Sequence, residues 1–313
     1  MRWMVTGAGG ALGTDLVRAI RRRGDPLVAL PRGGLDITDA DAVDAAVRRW
    51  TEDDDPAGSE PAVLVNAAAF TAVDLAETDP DAARAAHAVN AVGPGLLAAA
   101  CARTGAGMIH VSTDYVFRGD RTDGSGYEPD DPVEPISVYG RTKAEGEDRV
   151  RDALAAHHVV RTAWVYGDVG TNFVRTIARL VRERDTLDVV DDQHGSPTWS
   201  ADLAAALVEL GAWESRGATP GTFHATGGGR TTWYGLARAV VAAVGADPGR
   251  IHPCATDRFP RPAPRPAWSV LSTGSCPLTA SRPLRPWDEA LQAAVAHHPG
   301  LVGLDGVVSA PVE

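Results

Sequence analysis

The chain begins with a short apolar run, Arg2-Trp3-Met4-Val5-Thr6. It passes at once into Gly7-Ala8-Gly9-Gly10-Ala11-Leu12-Gly13 and then into an amphipathic stretch over 11–23. Strand, glycine turn and helix in that order leave few folds open. Glycines at 7, 10 and 13 suit a tight turn, close approach of the backbone to a pyrophosphate, and a helix N-terminus aimed at it. Because Leu12 occupies the place where G-x-G-x-x-G needs its last glycine, the spacing is G-x-x-G-x-x-G.

Alternation carries the same message onward. Strands are expected at 2–6, Leu27–Leu30, Ala62–Val65, Met108–Val111 and His158–Arg161. Helices are expected at 11–23, 40–50, 79–103 and about 138–156. That order implies βαβ units and a parallel sheet covered on both faces. Arg21-Arg22-Arg23 fall where the first helix ends and suit its dipole. Past Arg161 the pattern loosens: helices are read at 172–184, 201–212 and 232–245, and short strands near Leu187–Val190 and Thr222–Ala225. Residues 253–287, rich in proline and arginine, read as extended, turn-linked chain. The expected fold class is α/β, a Rossmann-like doubly wound parallel sheet with a smaller C-terminal substrate-binding domain. A dinucleotide-binding domain over 1–165 would be completed by about 193–228. The substrate part would take 166–192 and 229–300, and 301–313 would be a fraying tail.

The formal net charge of −11 repels phosphate backbones, so nucleic acid is not an expected partner. Cys101, Cys254 and Cys276 are far apart and odd in number, which excludes a disulfide framework and a CxxC metal knuckle. No run is read as reaching the roughly 18 apolar residues of a membrane span, and no basic-then-apolar leader is seen. A soluble, cytoplasmic protein is expected. The acidic run Glu52-Asp53-Asp54-Asp55 reads as a solvated turn. The adjacent pairs His157-His158 and His297-His298 diverge on any regular element, so neither reads as a metal site.

The sharpest compositional fact is 29 arginines against a single lysine, Lys143. It lies four residues after Tyr139 in Val138-Tyr139-Gly140-Arg141-Thr142-Lys143, at the start of a predicted helix. The i, i+4 spacing puts phenol and ammonium on one face. A nearby cation favours phenolate and is expected to lower the tyrosine's pKa toward the range of a general acid. A third polar group is expected at the end of the preceding strand, in Val111-Ser112-Thr113-Asp114, where either Ser112 or Thr113 can donate to a carbonyl oxygen. After the second strand stands Leu30-Pro31-Arg32, with no carboxylate before Asp36. An arginine there suits a 2′-phosphate, so NADPH is the expected cofactor, with NADH as the alternative.

Together these segments resemble the dTDP-4-dehydrorhamnose reductases, members of the extended short-chain dehydrogenase/reductase superfamily. The resemblance rests on the glycine turn, Asn66-Ala67-Ala68-Ala69-Phe70-Thr71-Ala72-Val73-Asp74, Ser112-Thr113-Asp114-Tyr115-Val116-Phe117 and Tyr139-Gly140-Arg141-Thr142-Lys143. It continues through Arg161-Thr162-Ala163-Trp164-Val165-Tyr166-Gly167, Asn172-Phe173, Asp192-Gln193-His194-Gly195-Ser196-Pro197-Thr198, Arg265-Pro266 and Leu271-Ser272-Thr273. It implies NADPH-dependent reduction of the 4-keto group of a dTDP-4-keto-6-deoxy sugar, foremost dTDP-4-dehydro-L-rhamnose. Thr113 would polarise the keto oxygen, Tyr139 would donate the proton, and Lys143 would bind the nicotinamide ribose. Thr113, Asp114 and Trp164 would line the sugar pocket. The cofactor would follow Gly7, Gly10, Ala11, Leu12, Gly13, Arg32, Asp36, Ile37, Ala68 and Ala69. Phe70 replaces a frequent histidine and Ser272 a frequent aspartate or asparagine, which leaves the sugar open. Two alternatives stay in view, a ketoreductase for a different deoxysugar and a non-catalytic nucleotide-binding regulatory subunit. A homodimer is entertained. Some members hold magnesium through acidic residues at a dimer contact; Asp15 matches one such position, but no full ligand set is found and no metal is expected.

Overall fold

The computed structural model describes residues 1–52, 60–214, 219–274 and 283–303, with side chains of the helix ending at Glu214 described through Ala212. Six strands form one parallel sheet: β1 (Arg2–Thr6), β2 (Leu27–Leu30), β3 (Ala62–Asn66), β4 (Gly107–Thr113), β5 (His157–Thr162) and β10 (Gly221–His224). Their spatial order is β2-β1-β3-β4-β5-β10, so the chain reverses direction across the sheet between β1 and β3. The doubly wound class expected from strand–helix alternation is the one observed.

Alternate residues of buried strands feed two cores. Trp3 and Val5 pack with Leu16 and Ile20 of α1 (Ala11–Arg23) and with Leu203 and Leu207 of α8 (Ser200–Glu214). Met4, Leu64 and Met108 point to the other face. There they meet Val43 and Val47 of α2 (Ala40–Glu52), Leu97 of α5 (Gly93–Thr104) and Val150 of α6 (Val138–Ala153). Gly24 closes α1 in the left-handed conformation behind the three arginines.

Several elements differ from expectation. A short helix, α3 (Val73–Thr78), precedes the alanine-rich one. The latter is α4 (Pro80–His87), a π-turn over Ala88–Val92, and α5. Contrary to expectation, Pro80–Thr104 is long and apolar enough to cross a membrane by length and composition. Half of it is buried against α2, α6 and the sheet, as the alanine-rich surface of a core helix must be. The C-terminal chain is also more regular than its composition suggests.

A third core gathers α7 (Phe173–Glu183), β7 (Leu187–Val190), α9 (Trp233–Ala243), β12 (Ile251–Cys254) and an unforeseen helix, α10 (Trp287–His297). The two-residue strands β6 (Val165–Tyr166) and β9 (Thr198–Trp199) pair with each other, as do β8 (His194–Gly195) and β11 (Thr231–Thr232), apart from the six-stranded sheet. Cys276, Asp53-Asp54-Asp55 and tail residues 304–313 lie outside the described residues. Cys101 and Cys254 are free thiols.

Candidate active site

Strand register lines up the carboxyl ends of the sheet: Thr6 beside Asn66, Asn66 beside His110, and Thr113 beside Thr162. The glycine turn, Arg32, the loop after Asn66, Thr113 and Trp164 therefore follow the carboxyl ends of β1 to β5, where open α/β sheets bind ligands. The glycine turn is shaped by contact. Gly7 has φ +69°, and a Cβ there would lie 2.6 Å from the backbone at Ala67 and Ala68. A Cβ on Gly13 would lie 2.1 Å from the Gly7 carbonyl oxygen. Gly10 donates its N–H back to Gly7 at 3.0 Å. No side chain caps α1, and no carboxylate stands in its first turn. The first N–H groups of α1, around Ala11, Leu12 and Gly13, thus have no side-chain cap and no carboxylate beside them, which leaves them suited to an anion.

Arg32 is exposed beyond β2. Asp36 lies near it, and its carboxylate accepts from the Thr38 N–H and hydroxyl. Those two bonds, with Arg32 adding a smaller pull, hold it below the usual carboxylate range. Ile37 turns inward to the core. Ala68 donates its N–H to Asn66, and Ala69 is exposed.

Tyr139 and Lys143 sit in the first two turns of α6, which is capped by the Ser137 hydroxyl accepting from the Gly140 N–H at 3.1 Å. The Thr113 side chain, at the end of β4, is within hydrogen-bonding reach of the Tyr139 phenol and donates to Asp114 at 3.0 Å. Of the two candidate hydroxyls, only Thr113 faces the tyrosine; Ser112 points toward Glu147. The Tyr115 ring stands edge-on to Tyr139, centroids 5.8 Å apart. The expected depression of the phenol pKa is not found. Burial pushes Tyr139 up to about 12, opposed by the Thr113 bond and reinforced by the Asp114 charge. The physical reason is where Lys143 points: its Nζ donates to the Val111 carbonyl at 2.7 Å and lies 3.4 Å from His110 Nε2. Burial lowers Lys143 to about 8, against the pull of Glu147. At neutral pH Tyr139 therefore carries its proton, the form a general acid requires. Asp114, 2% exposed, is raised by burial to about 6.

Trp164 follows β5 with φ +47°, the only non-glycine residue at positive φ among the described residues. Bulky side chains rarely accept that conformation, and it gathers at functional sites. Its ring stacks on Trp233 at 3.5 Å and 4°, and Trp233 donates to Gln193 at 3.1 Å. Beyond the pair opens a cavity of about 610 Å³ lined by Trp233, Phe173, Gln193, Tyr115, Asp74 and Arg265, among others. Trp164 stands behind Trp233 and is not among the residues lining that cavity. Arg265 pairs with Asp74 at 2.9 Å and lies over the Tyr115 ring. Thr113, Asp114, Tyr139 and Lys143 are thus brought together at one end of the sheet. The Tyr115 ring joins them to the cavity, which the C-terminal part walls.

The model of the RmlD substrate binding domain matches residues 1–299 of this chain. The chain belongs to the dTDP-4-dehydrorhamnose reductase family. A dTDP-4-dehydrorhamnose reductase of Mycolicibacterium smegmatis is 47% identical over 94% of this chain and 85% of that protein. A probable dTDP-4,6-dihydroxy-2-methyloxan-3-one 4-ketoreductase of Streptomyces antibioticus is 43% identical, covering 96% of this chain and 98% of that protein. A crystal structure of a dTDP-4-dehydrorhamnose reductase from Bacillus anthracis in complex with NADP has 31% identity. It superposes with a TM-score of 0.85 over 95% of this chain and 99% of that one.

Within this family architecture, sequence reasoning passed over several residues of the site. Asn90, in the π-turn, bonds both Phe70 N–H (2.8 Å) and Phe70 C=O (3.1 Å) and reaches Thr142 (3.2 Å), pinning the loop after β3 to α6. His110, Trp233 and Arg265 were likewise given no role. Only an unusual backbone element marks Asn90, and a π-turn leaves no trace in residue spacing. Asp15, weighed as a metal position, takes Arg18 on one oxygen and Ser200 on the other.

Proposed function

We propose that the chain reduces the 4-keto group of a dTDP-4-keto-6-deoxy sugar with NADPH, foremost dTDP-4-dehydro-L-rhamnose to dTDP-L-rhamnose. The observation that carries this reading is the half-buried, proton-bearing Tyr139 beside Thr113, at the same end of the sheet as the glycine turn and joined through the Tyr115 ring to an aromatic cavity. The glycine turn fits a dinucleotide, because Gly7 and Gly13 let the turn pack tightly against Ala67–Ala68 and against itself, with no side chain capping the helix N-terminus that follows. The N–H groups of Gly10, Ala11, Leu12 and Gly13 would hold its pyrophosphate, and Arg32 its 2′-phosphate. Asp36, Ile37, Ala68 and Ala69 would flank the rest, with Lys143 at the nicotinamide ribose. When bound, the nicotinamide supplies hydride to the carbonyl carbon.

The chain's own residues do the remaining work. Thr113, turning its one hydroxyl proton from Asp114, donates to the keto oxygen, which gains charge as the carbonyl is reduced. Tyr139 then delivers its proton to that oxygen. Residues 1–165, with 193–228, would carry the nucleotide; 166–192 and 229–300 would carry the sugar. Arg265, Arg261 and Arg184 on the cavity wall give an acidic protein a locally cationic surface suited to a nucleoside diphosphate. Trp233 and Phe173 offer flat apolar faces to a ring, and Trp164 backs Trp233 from behind. The cytoplasm, where NADPH and sugar nucleotides meet, is the proposed compartment.

A panel assay tests the reading. The protein with NADPH is offered dTDP-4-dehydro-L-rhamnose and other dTDP-4-keto sugars, and products are identified by NMR. Highest kcat/KM with the rhamnose precursor supports the full assignment. A marked preference for another keto-sugar reassigns the substrate within the family. Nucleotide binding with no turnover of any sugar removes the reductase reading.

A further inference from the structure

Behind Lys143 runs a buried polar chain. His110 and Asn66 are both fully buried. Asn66 Oδ1 accepts from the Thr6 hydroxyl at 2.7 Å and from the Ala68 backbone N–H at 3.1 Å. A backbone N–H can only donate, so the amide orientation is fixed: oxygen toward Ala68, NH₂ toward His110. Asn66 Nδ2 lies 3.1 Å from His110 Nδ1. That nitrogen must accept, so it carries no proton, and the proton of the neutral ring belongs on Nε2. Nε2 lies 3.4 Å from Lys143 Nζ. An ammonium has three donors and no lone pair, so facing an N–H it gains nothing there; a neutral amine can accept.

We infer that Thr6, Asn66 and Ala68 lock His110 as a fixed Nε2–H donor aimed at Lys143, a positioning residue that opposes the ammonium and makes this lysine a titrating group. The inference rests on the proposed role of Lys143 only for its catalytic consequence; the tautomer is a property of the free protein. The surrounding charges allow it. From α6, Glu147 faces Lys143 and favours its charged form, but that carboxylate is already bound at 2.9 and 2.7 Å by Arg161 of β5 and at 2.7 Å by Arg151 of α6. Tyr139, one turn earlier on α6, is neutral until strongly alkaline pH. From β4 only the uncharged His110 and the Val111 carbonyl meet Nζ. Burial keeps the ring neutral, its pKa well below the ordinary histidine value. As pH rises through mildly alkaline values the cation one turn from Tyr139 fades.

The composition makes the test direct, because Lys143 is the only lysine and a ¹³Cε-lysine label yields one lysine signal, with no assignment needed. The intact protein is titrated by NMR, and ¹⁵N-histidine spectra report the His110 tautomer, assigned by its loss in His110→Gln. The expected results are an Nε2–H tautomer across neutral pH and a lysine midpoint well below that of a free lysine. His110→Gln, which again offers acceptor and donor at the two positions, should leave the midpoint near the wild-type value. Asn66→Asp, which presents an acceptor to Nδ1, should flip the tautomer and raise the midpoint by about one unit or more. An Nδ1–H tautomer in the wild type, or a flipped tautomer in Asn66→Asp with an unmoved lysine, would overturn the inference. No substrate is needed, so failure of the proposed reaction, read by NADPH turnover in the same preparation, is a separate result.

Discussion

The nucleotide side and the sugar side of this molecule are built by different means. On the proposed nucleotide side each working part is one short local segment: a glycine turn of seven residues, a strand end, and a tyrosine–lysine pair on one helix. On the sugar side they are assembled across the chain. Arg265 meets Asp74 over 191 residues, and Trp164 meets Trp233. The difference teaches where chemistry is constrained by local geometry and where specificity is left to tertiary packing. Backbone approach and a proton donor tolerate little variation, whereas a pocket wall can be rebuilt for another sugar.

If that division holds, damage on each side should read out in a different parameter. Gly13→Ala drives a Cβ into the Gly7 carbonyl and should have the largest effect, at least about 3 kcal/mol of stability together with NADPH affinity. Denaturant unfolding and cofactor titration check it; intact NADPH binding would break the argument for close backbone approach.

Asp114→Asn comes next. The carboxyl of Asp114, raised to about 6, binds its proton in the folded state before the unfolded chain does, at about 4. Its ionisation therefore costs stability as pH rises from about 4 to 6, and that cost persists at neutrality. Removing the charge should add about 2 kcal/mol at pH 7 and flatten the pH dependence in that window, as read by denaturation across pH.

Trp233→Ala, on the sugar side, should raise the sugar KM roughly ten-fold, about 1.4 kcal/mol, and leave the NADPH KM unchanged. Equal losses in both would erase the comparison. Arg32→Ala should have the smallest effect, weakening NADPH a few-fold, on the order of 1 kcal/mol, with NADH untouched. Equal change for both cofactors would remove the 2′-phosphate contact.

The same contrast explains how much was legible in the sequence. Gly7, Gly10 and Gly13 declared the first βαβ unit by their spacing, and at Gly7 and Gly13 the structure shows the steric demand behind it. Tyr139 and Lys143 were legible because helical spacing alone puts them on one face, and the lone lysine drew attention to itself. What failed there was electrostatics: spacing promised a cation acting on the phenol, but Nζ turns to Val111 and His110, a choice set by three-dimensional packing. Ser112 and Thr113 could not be told apart by spacing, since adjacent strand residues point to opposite faces and only the register shows which meets α6. Helix α10 was hidden behind a proline- and arginine-rich approach, and its apolar face has meaning only against α9 and β9. Nothing in the residues around Trp164 announces a left-handed backbone. Its strain became visible with the backbone, and Trp233 became its partner with the fold.

The most direct test of the whole account is turnover of dTDP-4-dehydro-L-rhamnose by Tyr139→Phe against wild type, at saturating NADPH. NADPH consumption is followed by its near-ultraviolet absorbance and cofactor binding by fluorescence. The account predicts a fall in kcat of roughly 10²–10⁴-fold, with NADPH affinity nearly intact. Full turnover by the phenylalanine variant would contradict it, because a proton would then be reaching the sugar oxygen without the phenol that the fold sets beside Thr113.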